Sequence, residues 1–201
     1  MNKLLSFAAL IIVGFAISGL IIYGVIQFAP SNDSKNVAYS QFGANGVKTY
    51  EAFLMISDIP GSSIDFSHDS EIEIEEFSWS ETQSGSTQAG GGVGQVEMED
   101  FQFIFEMDPK ASPGLFLACA EGRVLEKVVL TVRSNGELPE EFEEFMKVTF
   151  SSVLISSFQT LGNTYQGQHP MDAITIEYSR IQFDYEKTYR AGWDLPSNTP
   201  I

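Results

Sequence analysis

The chain has 201 residues, enough for one folded domain with its own core and short appendages. Asp and Glu outnumber Lys and Arg by 27 to 11, so the formal net charge is −16 at pH 7. Such a surface repels phosphate backbones, which argues against nucleic-acid binding. The acidity serves either solubility or a specific cationic partner. Because Cys119 is the single cysteine, an intrachain disulfide framework is excluded.

The N-terminal region, residues 1–28, is dominated by an apolar run. No charged side chain occurs between Leu4 and Phe28. As a helix that rises ~1.5 Å per residue, this run is longer than the ~30 Å hydrocarbon core of a bilayer. We expect an uncleaved transmembrane helix, with the N-terminus inside and the soluble domain outside because Lys3 lies at the inner end. Secretion after signal-peptide cleavage is the alternative.

Residues 29–48 are polar and turn-rich without an apolar period, which predicts a tether ahead of a domain at 49–201. Within that domain the main pattern is alternation of apolar and polar residues, which is typical of strands. Three runs show it: Phe101, Phe103, Phe105 and Met107; Val128, Leu130 and Val132; and Met146, Val148, Phe150 and Leu154. The domain is therefore expected to be mainly β.

Two predicted strands change the parity of their apolar positions. In "EIEIEEFSW", residues 71–79, Ile72 and Ile74 give way to Phe77 and Trp79. The run "ITIEYSRIQFDY", residues 174–185, changes parity in the same way. One extra residue, a β-bulge, would account for each change. Bulges bend strands where sheets close into barrels or turn the corners of sandwiches.

One helix is predicted in "SPGLFLACAEG", with Ser112 as N-cap, Pro113 as the first helical residue and Gly122 at its end. Its apolar side chains are too many for a solvated helix, so one side is expected to pack on the sheet. They are Leu115, Phe116, Leu117, Cys119 and Ala120. A second helical turn is considered in "LPEEFEEFMK", residues 138–147.

No catalytic arrangement stands out around His68 and His169, the two histidines. "DFSHDSEIE" lacks the spacing of an EF-hand loop, so a solvated loop is favoured there over a cation site. Its candidate ligands would be Asp65, His68, Asp69 and Glu71. "GGGVG" lacks the Gly-Lys-Ser/Thr ending of a phosphate loop. We expect no catalytic residue, no cofactor and no metal, with an acidic hydrolase as a lesser alternative.

Five motifs occur in a specific order between about Tyr50 and Asn198. They are Ile59-Pro60-Gly61, Phe77-Ser78-Trp79, the Ser84-Gly85-Ser86 stretch with its glycine run, Lys110-Ala111-Ser112-Pro113, and Gly192-Trp193-Asp194. Each is weak alone. In this order they resemble the haemolysin-coregulated protein (Hcp) family, the tube protein of type VI secretion.

The resemblance implies a small closed β-barrel of two curved antiparallel sheets with one α-helix packed on its side. It also implies homo-oligomeric, hexameric rings that stack into a hollow tube. Small cargo effectors in the lumen and a spike protein at the tip would be partners, and no catalytic centre is implied. A loop that contacts the neighbouring ring is expected at Ser84, Gly85, Ser86, Gly90, Gly91, Gly92 and Gly94.

The sequence therefore predicts a membrane-anchored or exported Hcp-like tube protein. It would work as a structural conduit and cargo carrier rather than as an enzyme. The alternative is a monomeric, surface-displayed binding module, similar to an adhesin or receptor, that uses the same fold.

Overall fold

The structure is a computed structural model that describes residues 50–83, 96–135, 143–162 and 169–201. Every described residue belongs to one compact unit, Val47–Ile201. Within the described ranges no helix is both long and apolar enough to cross a membrane. The predicted span from Leu4 to Phe28 and the predicted tether lie outside those ranges.

The described part of the chain contains eleven strands and one helix. In chain order they are β1 (Tyr50–Ile56), β2 (Ile72–Ile74), β3 (Glu76–Ser78), β4 (Glu81–Gln83), β5 (Val96–Met98), β6 (Phe101–Glu106), α1 (Ala111–Glu121), β7 (Val124–Ser134), β8 (Glu144–Leu161), β9 (Met171–Tyr185), β10 (Tyr189–Asp194) and β11 (Thr199–Pro200). This confirms a mainly β domain with one helix. Glu144 to Lys147 belong to β8, so the second helical turn considered there is wrong at those positions.

Nine strands form one sheet in the order β11-β10-β9-β8-β7-β1-β2, and β6 also pairs with β9 and with β3. All pairings are antiparallel. Strand β9 reaches both partners because it is long: its first half pairs with β6 and its second half with β10. Strands β4 and β5 form a separate two-stranded sheet.

The first parity change, in residues 71–79, arises from a break rather than a bulge. Strand β2 pairs with β1, whereas β3 pairs with β6, and Glu75 separates the two strands. The Glu75 N–H donates to the Ile104 carbonyl at 2.9 Å. One short segment, residues 72–78, therefore lies along both ends of the curved sheet. The pairings of the described strands do not themselves complete a closed barrel.

The second parity change is a bend shared by three strands. The ladder between β8 and β9 passes from Ser151–Arg180 to Val153–Tyr178, and Ser152 between them has φ 53°. Each strand switches its buried face at this bend, so the buried residues on either side of it are three positions apart. They are Leu125 and Val128 of β7, Phe150 and Val153 of β8, and Tyr178 and Ile181 of β9. The extra residue of the β8–β9 ladder lies on β8, between Ile155 and Ser157, so the bulge predicted in β9 is wrong.

Aromatic rings of β6 form the centre of the core. Phe101, Phe103 and Phe105 are each at most 1% exposed, which confirms the predicted face. Burial of one such side chain contributes ~1.5–3 kcal/mol. The predicted core residues Val128, Leu130, Val132, Val148 and Phe150 are also buried. Met107 lies beyond the strand and is exposed, and Met146 and Leu154 are half-buried; for Leu154 the reason is the shared bend.

Helix α1 begins one residue before the predicted cap. Lys110 occupies the N-cap position without a side-chain hydrogen bond, and the Asp108 carboxylate accepts from the N–H groups of Lys110 and Ala111 instead. The Ser112 hydroxyl accepts from the Asp108 N–H at 2.9 Å. Ser112 therefore bonds to Asp108, whose carboxylate caps the helix, and is not itself the N-cap. Gly122 ends the helix with φ 61°, as predicted, because the left-handed region suits glycine.

The helix buries a narrower face than its composition suggests. Its buried residues are Ala111, Ser112, Leu115 and Ala118. Leu115 and Ala118 belong to the core, which confirms that one side of the helix packs inward, whereas Phe116 and Leu117 on the other side are 59% and 50% exposed. The Phe116 ring keeps one edge contact, with Phe158 of β8 at 5.8 Å between centroids.

Candidate functional site

The predicted assembly loop begins and ends on a two-stranded hairpin. Strand β4 pairs with β5 in the register Glu81 to Met98 and Gln83 to Val96, so the two ends of the loop are neighbours. All three side chains of β4 are exposed. The predicted loop residues Ser84, Gly85, Ser86, Gly90, Gly91, Gly92 and Gly94 lie outside the described residues.

Tyr178 ties the base of this hairpin to the main sheet. Its hydroxyl donates to the Glu99 carbonyl at 3.1 Å, and its ring packs against Phe150 in the core. Burial, together with the negative charges of Asp100, Glu81 and Glu99, raises the pKa of Tyr178 to about 12. The phenol is therefore neutral and a permanent donor at physiological pH.

The loop between β1 and β2, residues 61–71, is closed by its own backbone and is called the 61–71 loop below. The N–H of Gly61 donates to the Ser70 carbonyl at 2.8 Å, and the N–H of Ser63 donates to the Glu71 carbonyl at 3.1 Å. A Cβ atom on Gly61 would lie 2.1 Å from that Glu71 oxygen, so the close approach requires glycine.

Asp108 links this loop to the start of α1. One of its carboxylate oxygens accepts from the Ser62 N–H at 2.7 Å and from the Ser62 hydroxyl at 2.8 Å. Burial raises the pKa of Asp108, but the hydrogen bonds donated by Ala111, Ser62 and Lys110 outweigh it and hold that pKa below its usual range. The ionised carboxylate therefore stabilises the loop and the helix start together.

The Asp108 link is expected to fail in acid. A carboxyl whose pKa is lowered on folding contributes stability above its unfolded pKa, and this is lost as the pH falls through its folded pKa. The ordinary value is 3.8. The gap in unfolding free energy between wild type and Asp108→Asn should therefore be constant above about pH 5 and should shrink below about pH 4. Urea unfolding from pH 6 to acid measures it, and an unchanging gap would contradict the assignment.

Arg133 holds the other side of the 61–71 loop. Its guanidinium is buried and donates to Glu51 of β1 at 2.6 and 2.9 Å and to both Asp65 oxygens at 2.6 and 2.9 Å. The Arg133 hydrogen bond is the main cause that lowers the pKa of Asp65. Burial lowers the pKa of Arg133, but hydrogen bonds to Asp65 and Glu51 outweigh this and raise it. Asp65 is thus a structural partner of an arginine.

An aromatic stack completes the support of the loop. The His68 ring is stacked on Phe53 at 4.2 Å, and Arg133 lies over Phe53 at 4.8 Å from the ring centroid. His68 Nδ1 is 3.0 Å from a Glu71 oxygen. No group of three His, Cys, Asp or Glu residues that could hold a metal occurs in the described part. These candidate ligands contact loop and core partners instead.

The 61–71 loop presents two apolar side chains to solvent. Ile64 is 92% and Phe66 is 96% exposed, on either side of the anchored Asp65. This surface was missed by the sequence analysis. The pattern that could have revealed it is "SSIDFSHD", where two large apolar residues stand in an otherwise polar loop.

A second exposed apolar surface lies on α1 and the start of β7. It consists of Phe116, Leu117 and Val124, which are 59%, 50% and 66% exposed; we call it the α1 surface. Arg123 lies beside it and is 3.9 Å from a Glu121 oxygen. Both surfaces are suited to contacts with protein rather than to chemistry.

A shallow polar pocket of about 540 Å³ opens at the shared bend, lined by Ser152, Ser179, Arg180, Asp194, Pro196 and Ser197. Its polar groups bond to one another: Arg180 donates to Asp194 at 2.5 Å, and Asp194 also accepts from the Ser197 N–H and hydroxyl. The Arg180 and Ser197 hydrogen bonds lower the pKa of Asp194 to about 2. No lining serine contacts a histidine, so the pocket offers no activated nucleophile.

Comparison with known proteins agrees with this arrangement. The family described as "Type VI secretion system effector, Hcp" matches residues 53–185. Protein hcp1 of Pseudomonas aeruginosa is 33% identical over 162 residues, which cover 74% of this chain and 96% of that protein. Hcp1 from Salmonella typhimurium has a crystal structure with 27% identity and a TM-score of 0.66, covering 77% of this chain and 100% of that chain.

A type VI secretion system effector from Yersinia pestis has the same fold, with a TM-score of 0.57 and 24% identity over 71% of this chain and 98% of that chain. The matched region includes the 61–71 loop, the hairpin base, α1 and the three bent strands. On the sequence match and the fold together, the chain belongs to the Hcp family of type VI secretion proteins.

Proposed function

We propose that this chain is the tube subunit of a type VI-like secretion apparatus. It forms homo-oligomeric, hexameric rings that stack into a hollow conduit for small cargo effectors, with a spike protein at one end. The observation that carries the proposal is the family match over residues 53–185 together with 96% coverage of Protein hcp1. The chain acts by assembly and cargo binding rather than by catalysis. The polar pocket, whose groups bond to one another, supports this.

The fold proposed for the ring subunit is a closed barrel. Segment 72–78 supports it, since its first strand bonds to β1 and its second to β6, at the two ends of the sheet. Continuous curvature through the shared bend of β7, β8 and β9 would bring those ends together. A closed barrel leaves no long sheet edge open to uncontrolled pairing with other chains.

Ring formation is tested by the mass of the full-length chain in a mild detergent, measured over a range of protein concentrations. We expect hexamers. Because the formal charge is −16, like-charged subunits repel one another, and the hexamer fraction should rise as salt increases toward about 0.15 M and above. Monomers at every concentration and salt level would instead favour the surface-displayed binding module.

Ring stacking is assigned to the loop that joins β4 to β5, residues 84–95. Deleting it and closing the hairpin with a two-residue turn should leave the domain folded, since the loop ends are already paired and loop length contributes little to stability. We expect the thermal midpoint to move little and single rings to persist while stacked rings disappear from electron micrographs. Cooperative unfolding of the deletion variant, or tubes as long as wild type, would refute the assignment.

We further propose that Leu4 to Phe28 anchors the chain in a membrane, with the N-terminus inside and the domain outside. The absence of charge in that segment supports this. Membranes washed at alkaline pH should retain the protein. Recovery of a chain that begins near Pro30 in the medium would instead identify a cleaved signal peptide and a secreted product.

A further inference from the structure

The 61–71 loop carries two large apolar side chains on a backbone that is held in place. Its supports are the hydrogen bonds of Asp108 and Arg133 described above. Ile64 and Phe66 nonetheless are almost fully exposed. Because the backbone is already fixed, these side chains lose little further freedom when another surface covers them. The loop is therefore suited to contact a surface outside its own domain.

The loop lies beside the point where the described chain begins. Strand β1 starts at Tyr50, and its second residue, Glu51, shares the Arg133 guanidinium with Asp65 of the loop. The uncharged N-terminal run ends at Phe28, 22 positions before residue 50. At no more than ~3.6 Å per residue, the connection between them cannot exceed ~80 Å. A membrane that holds the run therefore stays within reach of this end of the domain.

Three exposed tyrosines lie at the same end of the sheet. Tyr50 is paired with the last residue of β7, Tyr185 is paired with β8 near its start, and Tyr189 begins β10 opposite Tyr185. All three are exposed. Tyrosine is enriched where proteins meet the membrane–water interface, because its ring is apolar and its hydroxyl bonds to the hydrated headgroups. This end of the domain therefore combines apolar side chains with amphipathic ones.

The charges at this end favour a neutral surface over an anionic one. Four of the carboxylates there have a basic partner: Glu51 and Asp65 share Arg133, Asp184 bonds to Arg190, and Glu144 lies 3.3 Å from Lys147. Asp69 of the loop and Glu186 next to Tyr185 are exposed. The remaining charge is negative, so anionic headgroups are repelled, whereas zwitterionic headgroups are not.

We propose that Ile64 and Phe66 insert at the boundary between headgroups and acyl chains, so that the tyrosine-bearing end of the sheet rests on a zwitterionic membrane surface. This inference rests on the proposed anchor, Leu4 to Phe28, and adds a second attachment to it. Two side chains alone hold a bilayer weakly, but the anchor makes docking an intramolecular step. Phe116 of the α1 surface lies toward the other end of β7, roughly 30 Å along the strand, and stays in water.

The test places a fluorescent side chain on each apolar surface of the full-length chain. Phe66→Trp reports on the loop, and Phe116→Trp is the matched control on α1. Wild type supplies the background from the native Trp79 and Trp193. The proteins are reconstituted in phosphatidylcholine vesicles with and without brominated acyl chains, which quench tryptophan on contact. The added indole of Phe66→Trp should emit at shorter wavelength and be quenched, and that of Phe116→Trp should do neither.

Adding Ile64→Ser to Phe66→Trp removes the neighbouring apolar side chain, so the docking equilibrium should weaken roughly tenfold or more and quenching should fall. Phosphatidylserine in the vesicles at low salt should also reduce quenching. Release of the chain from the vesicles at alkaline pH would overturn the anchor proposal and this inference together. If the chain is retained, three results would overturn this inference alone: an indole of Phe66→Trp that stays in water, a shift without quenching because protein covers the ring, or quenching that rises with phosphatidylserine.

Discussion

Replacing Arg133 with methionine is expected to lower the free energy of unfolding by about 3–5 kcal/mol. Arg133 is 4% exposed, and its guanidinium is the shared donor for Glu51 and Asp65. Methionine fills much of the volume but leaves two carboxylates close together without their cation. Urea unfolding followed by circular dichroism measures the change. Restoring part of the loss by adding Glu51→Gln to Arg133→Met would identify the stranded charge as its cause.

Arg180→Met is the matched control for this prediction. Arg180 also bonds to an aspartate, Asp194, but its side chain is 60% exposed, so water screens the pair. A loss of about 0–1 kcal/mol is expected there. If Arg133→Met and Arg180→Met lowered the free energy of unfolding by the same amount, the buried cluster would have no special role in stability. The comparison therefore sets a buried arginine shared by two carboxylates against an exposed arginine paired with one aspartate.

Strand β6 and the core of β7 could be predicted from sequence because a half-buried strand shows an exact period of two. The phenylalanines at 101, 103 and 105 are all buried, and so are Val128, Leu130 and Val132. The parity changes were also visible in sequence, but their cause was not. A bend shared by β7, β8 and β9 depends on which strands are neighbours, and one strand's sequence does not contain that information.

The helix shows a second limit of sequence interpretation. Apolar content predicted that one side of the helix packs on the sheet but did not identify that side, and Phe116 and Leu117 are each at least half exposed. Composition indicates how many apolar side chains a helix has but not which of them face the core. The cap was misassigned for a related reason: Asp108, ahead of the helix, binds Ser62 of a distant loop.

The Arg133 cluster was beyond sequence reasoning because its partners are remote. Glu51 lies 82 positions and Asp65 lies 68 positions from the arginine along the chain. Asp65 and His68 suggested a cation site only while their real partners were unknown. The roles of these residues therefore follow from the fold, which brings the remote partners together, and not from their spacing along the chain.

Phe103→Ala is expected to lower the free energy of unfolding by about 3–5 kcal/mol. The ring is 1% exposed, stacks between Phe101 and Phe105, and is paired across strands with Phe77 and Ile174. Alanine leaves a cavity that these rings can fill only in part. The denaturation midpoint in urea should fall with an unchanged slope.

Phe66→Ala removes the same atoms from a ring that is 96% exposed, so its unfolding free energy should change by less than about 0.5 kcal/mol. The two variants then separate the two roles of phenylalanine in this chain. Phe103→Ala should weaken folding, whereas Phe66→Ala should leave folding intact. A Phe66→Ala protein as unstable as Phe103→Ala would mean that Phe66 packs within its own domain.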